Sequence, residues 1–227
     1  AGAISVRVLD AASRPVPAAT VRFAVATGNG SISGAMTATT NHLGVATLAG
    51  QWRLGVVAGT QTLTAIPTTG TVTGATITAT ATAGAATKLV VSGAGSQVAA
   101  TSQPITITAR DANGNTAVSY SGSKTLTFSG AATSPGGQQP SAGGVAFGVA
   151  TPLTFTDGVA TTPVILMKAE SATLTVTDGK LSAEIADRLS VVVSPGAPSA
   201  STSMPASHGG CSLSRSSPWA FSRWRAR

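Results

Sequence analysis

Hydrophobic and polar residues alternate along most of this chain with a period of two, which is the period of a β-strand that buries one face. The alternation is clear at residues 4–9 and again at residues 21–25, where Phe23 marks the face that points into the core. No stretch repeats its apolar residues every 3.6 positions over three turns, as an amphipathic helix would. The pattern therefore predicts an all-β protein.

Gly, Pro, Asn and Asp interrupt the alternation and predict short strands separated by turns. In the first half we expect a hairpin of residues 36–40 and 45–49 across residues 41–44, a short strand that starts at Trp52, and a strand that ends at Pro67. Further strands are predicted at residues 71–82, 88–91, 105–107, 126–128, 151–156, 159–166, 172–177 and 189–193.

Two sequence patterns occur twice and indicate an internal repeat. G-V-A-T at residues 44–47 returns at residues 158–161, and the D-A-A-S-R-P-V that starts at Asp10 is paralleled by D-A-N-G-N-T-A-V from Asp111. The repeat predicts a first module at residues 1–86, a second module at 87–196 and a tail at 197–227. Residues 83–87 are predicted to join the two modules, and residues 130–144 to form a long exposed loop in the second.

The composition permits a packed core made of small and β-branched side chains. Hydrophobic residues make up 42% of the chain, charged residues only 9% and aromatic residues 4%, a balance that argues against a disordered chain. The net charge of +7 is concentrated in the tail, where four arginines stand without an acid. Basic residues elsewhere are scattered singly, so no nucleic-acid partner is predicted.

The tail at residues 197–227 has neither alternation nor acidic residues. One interpretation is a basic aromatic tail, in which Trp219, Phe221 and Trp224 contact anionic lipid. The other, which we favour, is an out-of-frame end that is not under selection for folding. Cys211 is the single cysteine, so no internal disulfide forms. No apolar run reaches the roughly 18–20 residues of a membrane span, and the start within a strand pattern suggests a fragment of a longer protein.

Four motifs together resemble the bacterial Ig-like modules of the invasin and intimin group. They are V-x-V-x-D-A-x-x-R-P-V-P at 6–17, V-R-F-A-V at 21–25, G-V-A-T at 44–47 and W-R-L-G-x-x-x-G-x-x-x-L-T-A at 52–65. The second module, with D-A-N-G-N-T-A-V-S-Y-S-G-S-K-T-L-T-F-S-G at 111–130, looks like a divergent relative without the tryptophan.

This resemblance implies two tandem Ig-like antiparallel β-sandwiches that act as stalk or adhesion modules of a bacterial surface or secreted protein. The implied location is extracellular or at the cell surface. The implied partners are neighbouring Ig-like modules, with a host-cell or matrix surface or a glycan as further partners. No binding residue of the family falls on a matching position in this chain.

Residues suited to catalysis are few, and we expect no enzyme, no cofactor and no metal. His42 lies in a predicted turn, and His208 and Cys211 lie in the tail, so neither histidine has the third orienting group that an activated nucleophile needs. Most of the seven acids adjoin predicted turns, where Asp is favoured for local backbone reasons: Asp10, Asp111, Asp157, Glu170, Asp178, Glu184 and Asp187.

Two other patterns each have a structural and a functional interpretation. Asp111, Asn113 and Asn115 have the spacing of calcium ligands, but no Glu follows at the twelfth position, and we interpret them as a turn. The threonines of residues 71–82 form a row that resembles an ice-binding surface; a solvent-facing strand explains them as well.

The alternative to a stalk is an accessory carbohydrate-binding module of a secreted hydrolase. Sugar-binding faces offer exposed aromatic rings, and Tyr120 is the best exposed candidate in the sequence. Trp52 is interpreted as a core or inter-strand packing residue of the first module. On these grounds the stalk is the preferred hypothesis.

Overall fold

A computed structural model describes residues 3–70 and 73–196 of the chain. Within these residues the chain forms strands joined by turns, and its helical content is the single 3-10 turn Ile185–Asp187. The predicted all-β class is therefore confirmed. The predicted tail, with His208, Cys211 and its three aromatic residues, lies outside the described residues.

The described strands of the first half build three small sheets around one core. These strands are β1 (Ser5–Arg7), β2 (Thr20–Val25), β3 (Ser31–Ser33), β4 (Thr37–Thr39), β5 (Val45–Thr47), β6 (Gln51–Arg53), β7 (Gly59–Pro67) and β8 (Ala75–Ala81). β1 pairs with β5, β3 pairs with β6, and a four-stranded sheet has the order β4-β2-β7-β8. All of these pairings are antiparallel.

The alternation of the sequence decides which side chains enter this first core. Val21 and Phe23 of β2 are fully buried, and so is Leu63 of β7. Val8, Ala46 and Leu48 of the β1–β5 side complete the packing from the opposite face. The first core is thus filled by aliphatic residues and one phenylalanine, supplied mainly by the four-stranded sheet and the β1–β5 side.

The described strands of the second half build two five-stranded sheets. They are β9 (Lys88–Gly93), β10 (Ser96–Val98), β11 (Ser102–Arg110), β12 (Gly122–Ser129), β13 (Ser141–Ala142), β14 (Val145–Ala146), β15 (Ala150–Phe155), β16 (Val159–Ile165), β17 (Ser171–Thr177) and β18 (Leu189–Ser194). One sheet has the order β14-β13-β16-β11-β9, and the other β10-β18-β17-β12-β15. The pairing of β10 with β18 is parallel.

The second core shares no buried residue with the first. It includes Leu89, Ile107, Leu126, Phe128 and Val191, all nearly or completely shielded from solvent. The two separate cores agree with the two predicted modules, whose limits at 1–86 and 87–196 stay a prediction.

The internal repeat is confirmed by equivalent backbone hydrogen bonds. The Val8 N–H donates to the Gly44 carbonyl at 2.8 Å, and the Ala109 N–H donates to the Gly158 carbonyl at the same distance. These four positions link β1 with β5 and β11 with β16, so β1 and β11 are counterparts. The two G-V-A-T motifs therefore occupy the same place in the two sandwiches.

The predicted hairpin of residues 36–40 and 45–49 is wrong. The turn at 41–44 does form, with the Gly44 N–H donating to the Asn41 carbonyl at 2.9 Å and with Gly44 at φ +73°. The strands on either side, however, belong to different sheets, because β4 pairs with β2 and β5 pairs with β1. Alternation specifies the buried face of a strand but not its neighbour, so the chain crosses between the sheets here.

The predicted loop at 130–144 is only partly a loop. Its last residues form β13, which pairs with β16, and Ala142 is completely buried. Because the residues before β13 are rich in Gly and Pro, composition alone predicts a loop and does not indicate this short buried strand. No helix in the described part of the chain is long and apolar enough to cross a membrane.

Candidate functional site: the junction between the two modules

The loop that follows β11 is built around the carboxylate of Asp111, which is only 3% exposed. Oδ1 of Asp111 accepts hydrogen bonds from the backbone N–H groups of Asn113 and Asn115, both at 2.9 Å. Gly114 stands at φ +81°, a conformation that favours glycine. The residues D-A-N-G-N thus form the turn that their sequence predicts.

The second oxygen of Asp111 fastens the segment that connects the modules. Oδ2 accepts a hydrogen bond from the backbone N–H of Gly84 at 2.9 Å and another from Nδ2 of Asn115 at 2.9 Å. Gly84 lies within the predicted joint at 83–87. The carboxylate therefore holds the turn with one oxygen and the connecting segment with the other.

Asn115 extends this contact into the first module. Its Nδ2 donates to the Val56 carbonyl at 2.8 Å, and its Oδ1 accepts from the Ala58 N–H at 2.9 Å. Both partners lie in the loop between β6 and β7. One amide side chain of the second module therefore satisfies a donor and an acceptor of the first.

The first module holds the same loop from its other side through Gln61, which is 1% exposed. Its Nε2 donates to the carbonyls of Val57 at 2.8 Å and Gly55 at 3.1 Å, and its Oε1 accepts from the Gly55 N–H at 2.8 Å. A buried polar side chain without partners would cost stability, and here all these bonds go to one loop. The loop thus has a fixed shape in which to meet Asn115.

The hydrogen bonds at the junction favour the charged form of Asp111. The side chain of Asn115 and the backbone N–H of Gly84 lower the pKa of Asp111 from the ordinary 3.8 to about 2, against the opposing effect of burial. The carboxylate therefore stays ionised over the whole physiological pH range. Its negative charge strengthens each of the N–H bonds that it accepts.

The equivalent loop of the first module, which starts at Asp10, has the same turn but a different fifth residue. Asp10 accepts bonds from the Ala12 and Arg14 N–H groups at 2.9 Å, as Asp111 does from its own turn. The fifth position, however, is Arg14, whose guanidinium pairs with Asp10 at 2.8 Å. The turn is therefore common to both modules, and Asn115 is what makes the second copy bind its neighbour.

Calcium binding in this loop would have to compete with hydrogen bonds that the Asp111 carboxylate already accepts. Both oxygens of Asp111 accept two N–H bonds each. In the described residues no group of three or more His, Cys, Asp or Glu side chains is placed to hold a metal ion. The arrangement suits a rigid turn.

Tyr120, the exposed aromatic candidate of the sequence, is half-buried in the structure. Its ring meets the Phe155 ring edge-on, with centroids 4.9 Å apart, and its hydroxyl donates to Oδ2 of Asp178. Nζ of Lys124 lies 4.8 Å from the centre of the same ring. Burial and the bond to Asp178 raise the pKa of Tyr120. The half-buried ring also lines two open clefts of about 310 and 420 Å³, together with Lys124, Asp178 and Lys180.

Trp52 is a packing residue, as predicted, although it is only partly buried. It stands opposite Ile32 in the β3–β6 pair and packs against the first core. Its Nε1 is shielded from solvent and has no hydrogen-bond partner among the described residues. Trp52, in the motif at residues 52–65, therefore contributes to the packing of the first core.

The threonine row and His42 also have positions in the structure. Thr76, Thr78 and Thr80 lie on the solvent face of β8, opposite Thr64, Thr62 and Thr60 of β7. Thr71 lies outside the described residues. His42 is exposed in the turn before β5, as expected for a turn residue.

The sequence did not reveal that Asn115 contacts the first module. The available signal was a difference between the repeats, since Asn occupies the position where the first copy has Arg14. The sequence also has two adjacent valines at residues 56–57. In the structure Val56 is 67% exposed beside the junction. Neither feature identifies the loop at 56–58 as the partner of Asn115 unless the tertiary structure is known.

No protein-family model and no curated protein matches this sequence. The chain is similar in structure to InvD of Yersinia pseudotuberculosis, with 21% identity and a TM-score of 0.47 over 89% of this chain and 55% of that chain. It is also similar to invasin, a bacterial integrin-binding protein, with 19% identity and a TM-score of 0.34 over 86% of this chain and 36% of that chain.

A β-glycosidase from Bacteroides vulgatus is another similar structure, with 18% identity and a TM-score of 0.38 over 77% of this chain and 21% of that chain. The chain spans about half the length of InvD and less of the other two. InvD and invasin belong to the bacterial Ig-like adhesins, which are the group that the sequence motifs resemble.

Proposed function

We propose that this chain is a non-enzymatic spacer of a bacterial cell-surface or secreted protein. Its two Ig-like modules, residues 1–86 and 87–196, form a short stiff array that holds a neighbouring domain at a distance. The mechanism is mechanical, since each module supplies a packed sandwich and the junction limits bending between them.

The observation that carries this proposal is the bridge from Asn115 to the loop at 56–58. Two hydrogen bonds cross from one module to the other through a single side chain. At roughly 0.5–1.5 kcal/mol net for each bond, the bridge favours the closed junction by about 1–3 kcal/mol. That range corresponds to a preference of roughly 5- to 150-fold over an open joint.

The connecting segment supports the same function. A free linker of small residues would let the modules swing independently, and residues 83–87 have that composition. Here the Gly84 N–H is bound to Asp111 at 2.9 Å, and the Thr87 N–H donates to the Arg110 carbonyl at 2.8 Å. The linker is thus bound at both ends to the second module.

The proposed partners and location follow from the sequence motifs. The motifs at 6–17 and 52–65 support an extracellular or cell-surface position in bacteria, with neighbouring Ig-like modules of the same protein as the first partners. An adhesive module in such an array would contact a host-cell or matrix surface or a glycan. The surroundings of Tyr120 count against the carbohydrate-binding alternative.

A distance measurement between the modules tests the proposal. Spin labels placed at Met36→Cys and Val149→Cys, both on exposed side chains, would report the inter-module distance in a chain that also carries Cys211→Ser. We expect a single narrow distance distribution, which Asn115→Ala broadens. Asn113→Ala is the matched control, because only the backbone of Asn113 bonds to Asp111.

Two outcomes would overturn the spacer function. One is a broad distribution in the parent chain that Asn115→Ala leaves unchanged. The other is retention of the parent chain on a glycan array that Tyr120→Ala abolishes, which would favour the carbohydrate-binding module.

A further inference from the structure

The inward face of β12 begins with a lysine. Leu126 and Phe128 of this strand are buried in the second core, and Lys124 shares their face because side chains two apart along a strand point the same way. Lys124 is half-buried there, and burying an ammonium group costs free energy unless a partner offsets the lost hydration. Of the four lysines among the described residues, Lys88 and Lys168 pair with an acid, and Lys124 does not.

The first module shows that the fold does not require this lysine. β2 is the counterpart of β12, since β2 lies between β4 and β7 as β12 lies between β15 and β17. Phe23 of β2 and Phe128 of β12 are the buried phenylalanines of the two strands. Four residues before Phe23 the first module has Ala19, which is buried, where the second has Lys124. The lysine is therefore a feature of the second module.

The chain that leads to Lys124 is also longer than its counterpart. Val16 and Ala117 are equivalent, since the N–H of each donates to the carbonyl eight positions before it. Two residues separate Val16 from Ala19, and six separate Ala117 from Lys124. Tyr120 is one of the six, and Nζ of Lys124 lies 4.8 Å from the centre of its ring. The longer connection thus places an aromatic ring beneath the lysine.

Asp178 fixes the ring of Tyr120 and is fully engaged in doing so. Its Oδ2 accepts the hydrogen bond of the Tyr120 hydroxyl. Its Oδ1 accepts from the backbone N–H groups of Lys180 at 2.8 Å and Leu181 at 2.6 Å. None of these bonds involves a lysine side chain. The exposed ammonium of Lys180, like that of Lys124, therefore lacks an acidic partner among the described residues.

Two clefts of about 310 and 420 Å³ open at this group of side chains. The smaller has an apolar wall, formed by Ala85, Ala86 and Leu181. The larger has the hydroxyls of Ser123 and Thr125. Small ligands bind in clefts of this size, roughly 300–1,000 Å³. Two lysines against one aspartate leave an excess of positive charge in the side chains that line both clefts: Tyr120, Lys124, Asp178 and Lys180.

We propose that these paired clefts are a docking site for an acidic peptide segment. A carboxylate side chain of the segment pairs with Lys124 and Lys180, and a neighbouring aliphatic side chain lies against the apolar wall. The ammonium groups donate charge-assisted hydrogen bonds to the carboxylate, and the hydroxyls of Ser123 and Thr125 donate to the same group. The bound segment supplies the counter-charge that Lys124 lacks within the fold.

The apolar wall distinguishes a peptide from an acidic sugar. A sugar ring carries hydroxyls that lose their hydrogen bonds to water on binding, and the side chains of the wall offer none in return. An aliphatic side chain gains free energy by leaving water at the same place. A segment with adjacent acidic and aliphatic residues therefore fits both clefts.

Titration of the full chain with acetyl-Glu-Leu-Glu-amide tests the site, because its leucine has an acidic neighbour on either side. NMR signals of the Lys124 and Lys180 side chains and of the Tyr120 ring follow the binding. We expect saturable shifts at millimolar peptide. Binding should weaken as the ionic strength rises from about 0.01 to 1 M, since the screening length falls from roughly 30 to 3 Å.

Two control peptides separate the acidic part of the ligand from the aliphatic part. Acetyl-Gln-Leu-Gln-amide has no carboxylate, and we expect it to bind roughly tenfold more weakly because the ion pairs are lost. Acetyl-Glu-Ser-Glu-amide keeps the charges and loses the aliphatic side chain. We expect it to bind roughly fivefold more weakly.

Lys124→Met and Lys180→Met test the protein side, since methionine keeps an unbranched stem and removes the charge. We expect each to bind the peptide roughly threefold more weakly and Lys124→Arg, which keeps a cation, to bind as the parent does. Lys168→Met is the matched control, because Lys168 pairs with Glu170 outside the clefts. The Tm of Lys124→Met should not fall, since an apolar side chain suits the inward face of β12.

Equal binding of the glutamate and glutamine peptides would overturn the proposal. So would Lys124→Met and Lys180→Met variants that bind the peptide as Lys168→Met does. Glucuronate is the remaining probe, and we expect it to bind more weakly than acetyl-Glu-Leu-Glu-amide. Tighter binding of glucuronate, abolished by Tyr120→Ala, would overturn the peptide assignment and identify an acidic sugar as the ligand.

Discussion

Asn115 donates a hydrogen bond to the carbonyl of Val56, 59 positions earlier in the chain, at 2.8 Å. The same side chain accepts from the Ala58 N–H and donates to Asp111. One asparagine thus connects a loop of the first module, the turn of the second and, through Asp111, the segment between them. We therefore expect this residue to couple the motions of the two modules.

Replacing Asn115 with Ala is expected to lower the free energy of unfolding by about 2–4 kcal/mol. It removes three side-chain hydrogen bonds, each worth roughly 0.5–1.5 kcal/mol, and leaves the Ala58 N–H without its partner. Chemical denaturation followed by Trp52 fluorescence and by circular dichroism would measure the change. Asn113→Ala is the control and is expected to stay within about 0.5 kcal/mol of the parent.

Separate transitions for the two modules would also appear in Asn115→Ala, because the bridge that couples them is absent. A variant as stable as Asn113→Ala, with one shared transition, would contradict this role for Asn115.

The junction is expected to weaken in acid over a window set by Asp111. Its pKa is about 2 in the folded chain against an ordinary 3.8. Because the folded pKa is the lower one, the contribution of the carboxylate is complete above pH about 4, decreases as the pH falls from about 4 to 2, and is lost below about 2. The NMR shift of the Gly84 amide proton would report this titration.

Asp111→Asn is the matched control for the acid titration, since it keeps the shape of the side chain and removes its charge. The Gly84 amide of that variant should show no titration in this window. A midpoint near pH 4 in the parent chain would mean that the bonds to Asp111 are weak in solution.

Calcium is expected to leave the Tm of the chain unchanged. The oxygens of Asp111 already accept four N–H bonds, and a bound cation would have to displace them. Thermal unfolding with calcium and with a chelator measures the effect. A calcium-dependent rise in Tm that Asn113→Ala removes would establish a metal site in this loop.

Trp52→Ala is expected to cost about 2–3 kcal/mol of stability. Full burial of a tryptophan corresponds to roughly 3–5 kcal/mol, and Trp52 is only partly buried. Trp52→Phe should cost less than half as much, because Nε1 has no partner to lose among the described residues. An unchanged Tm for Trp52→Ala would show that this side chain does not support the first core.

Gln61→Ala is expected to destabilise the first module by about 2–4 kcal/mol. It deletes three hydrogen bonds of a buried side chain and leaves a cavity beneath the loop at 55–58. Thr60→Ala, on the exposed face of the same strand, is the control. Because this loop meets Asn115, Gln61→Ala should also broaden the inter-module distance, and a variant that changes neither property would separate the loop from the junction.

Much of the local structure was determined by the sequence itself. The alternation at 21–25 specifies that Phe23 is buried, since side chains two apart lie on one face of a strand. D-A-N-G-N specifies its own turn, because Oδ1 of Asp111 accepts hydrogen bonds from the backbone N–H groups two and four residues ahead. The repeated G-V-A-T marks the same strand in each sandwich. These features depend on short-range geometry, which neighbouring residues fix.

The tertiary structure decided which elements lie beside one another. Residues 37–39 and 45–47 alternate equally well, yet they join different sheets, because alternation does not select a strand's partner. The sequence suggested that the Tyr120 ring is exposed, whereas the fold places Phe155 edge-on against it and Lys124 over it. Asn115 reaches Val56 only after both modules have folded, since a hydrogen bond between residues so far apart in sequence leaves no local pattern. The fold class could therefore be predicted from the sequence, and the junction could not.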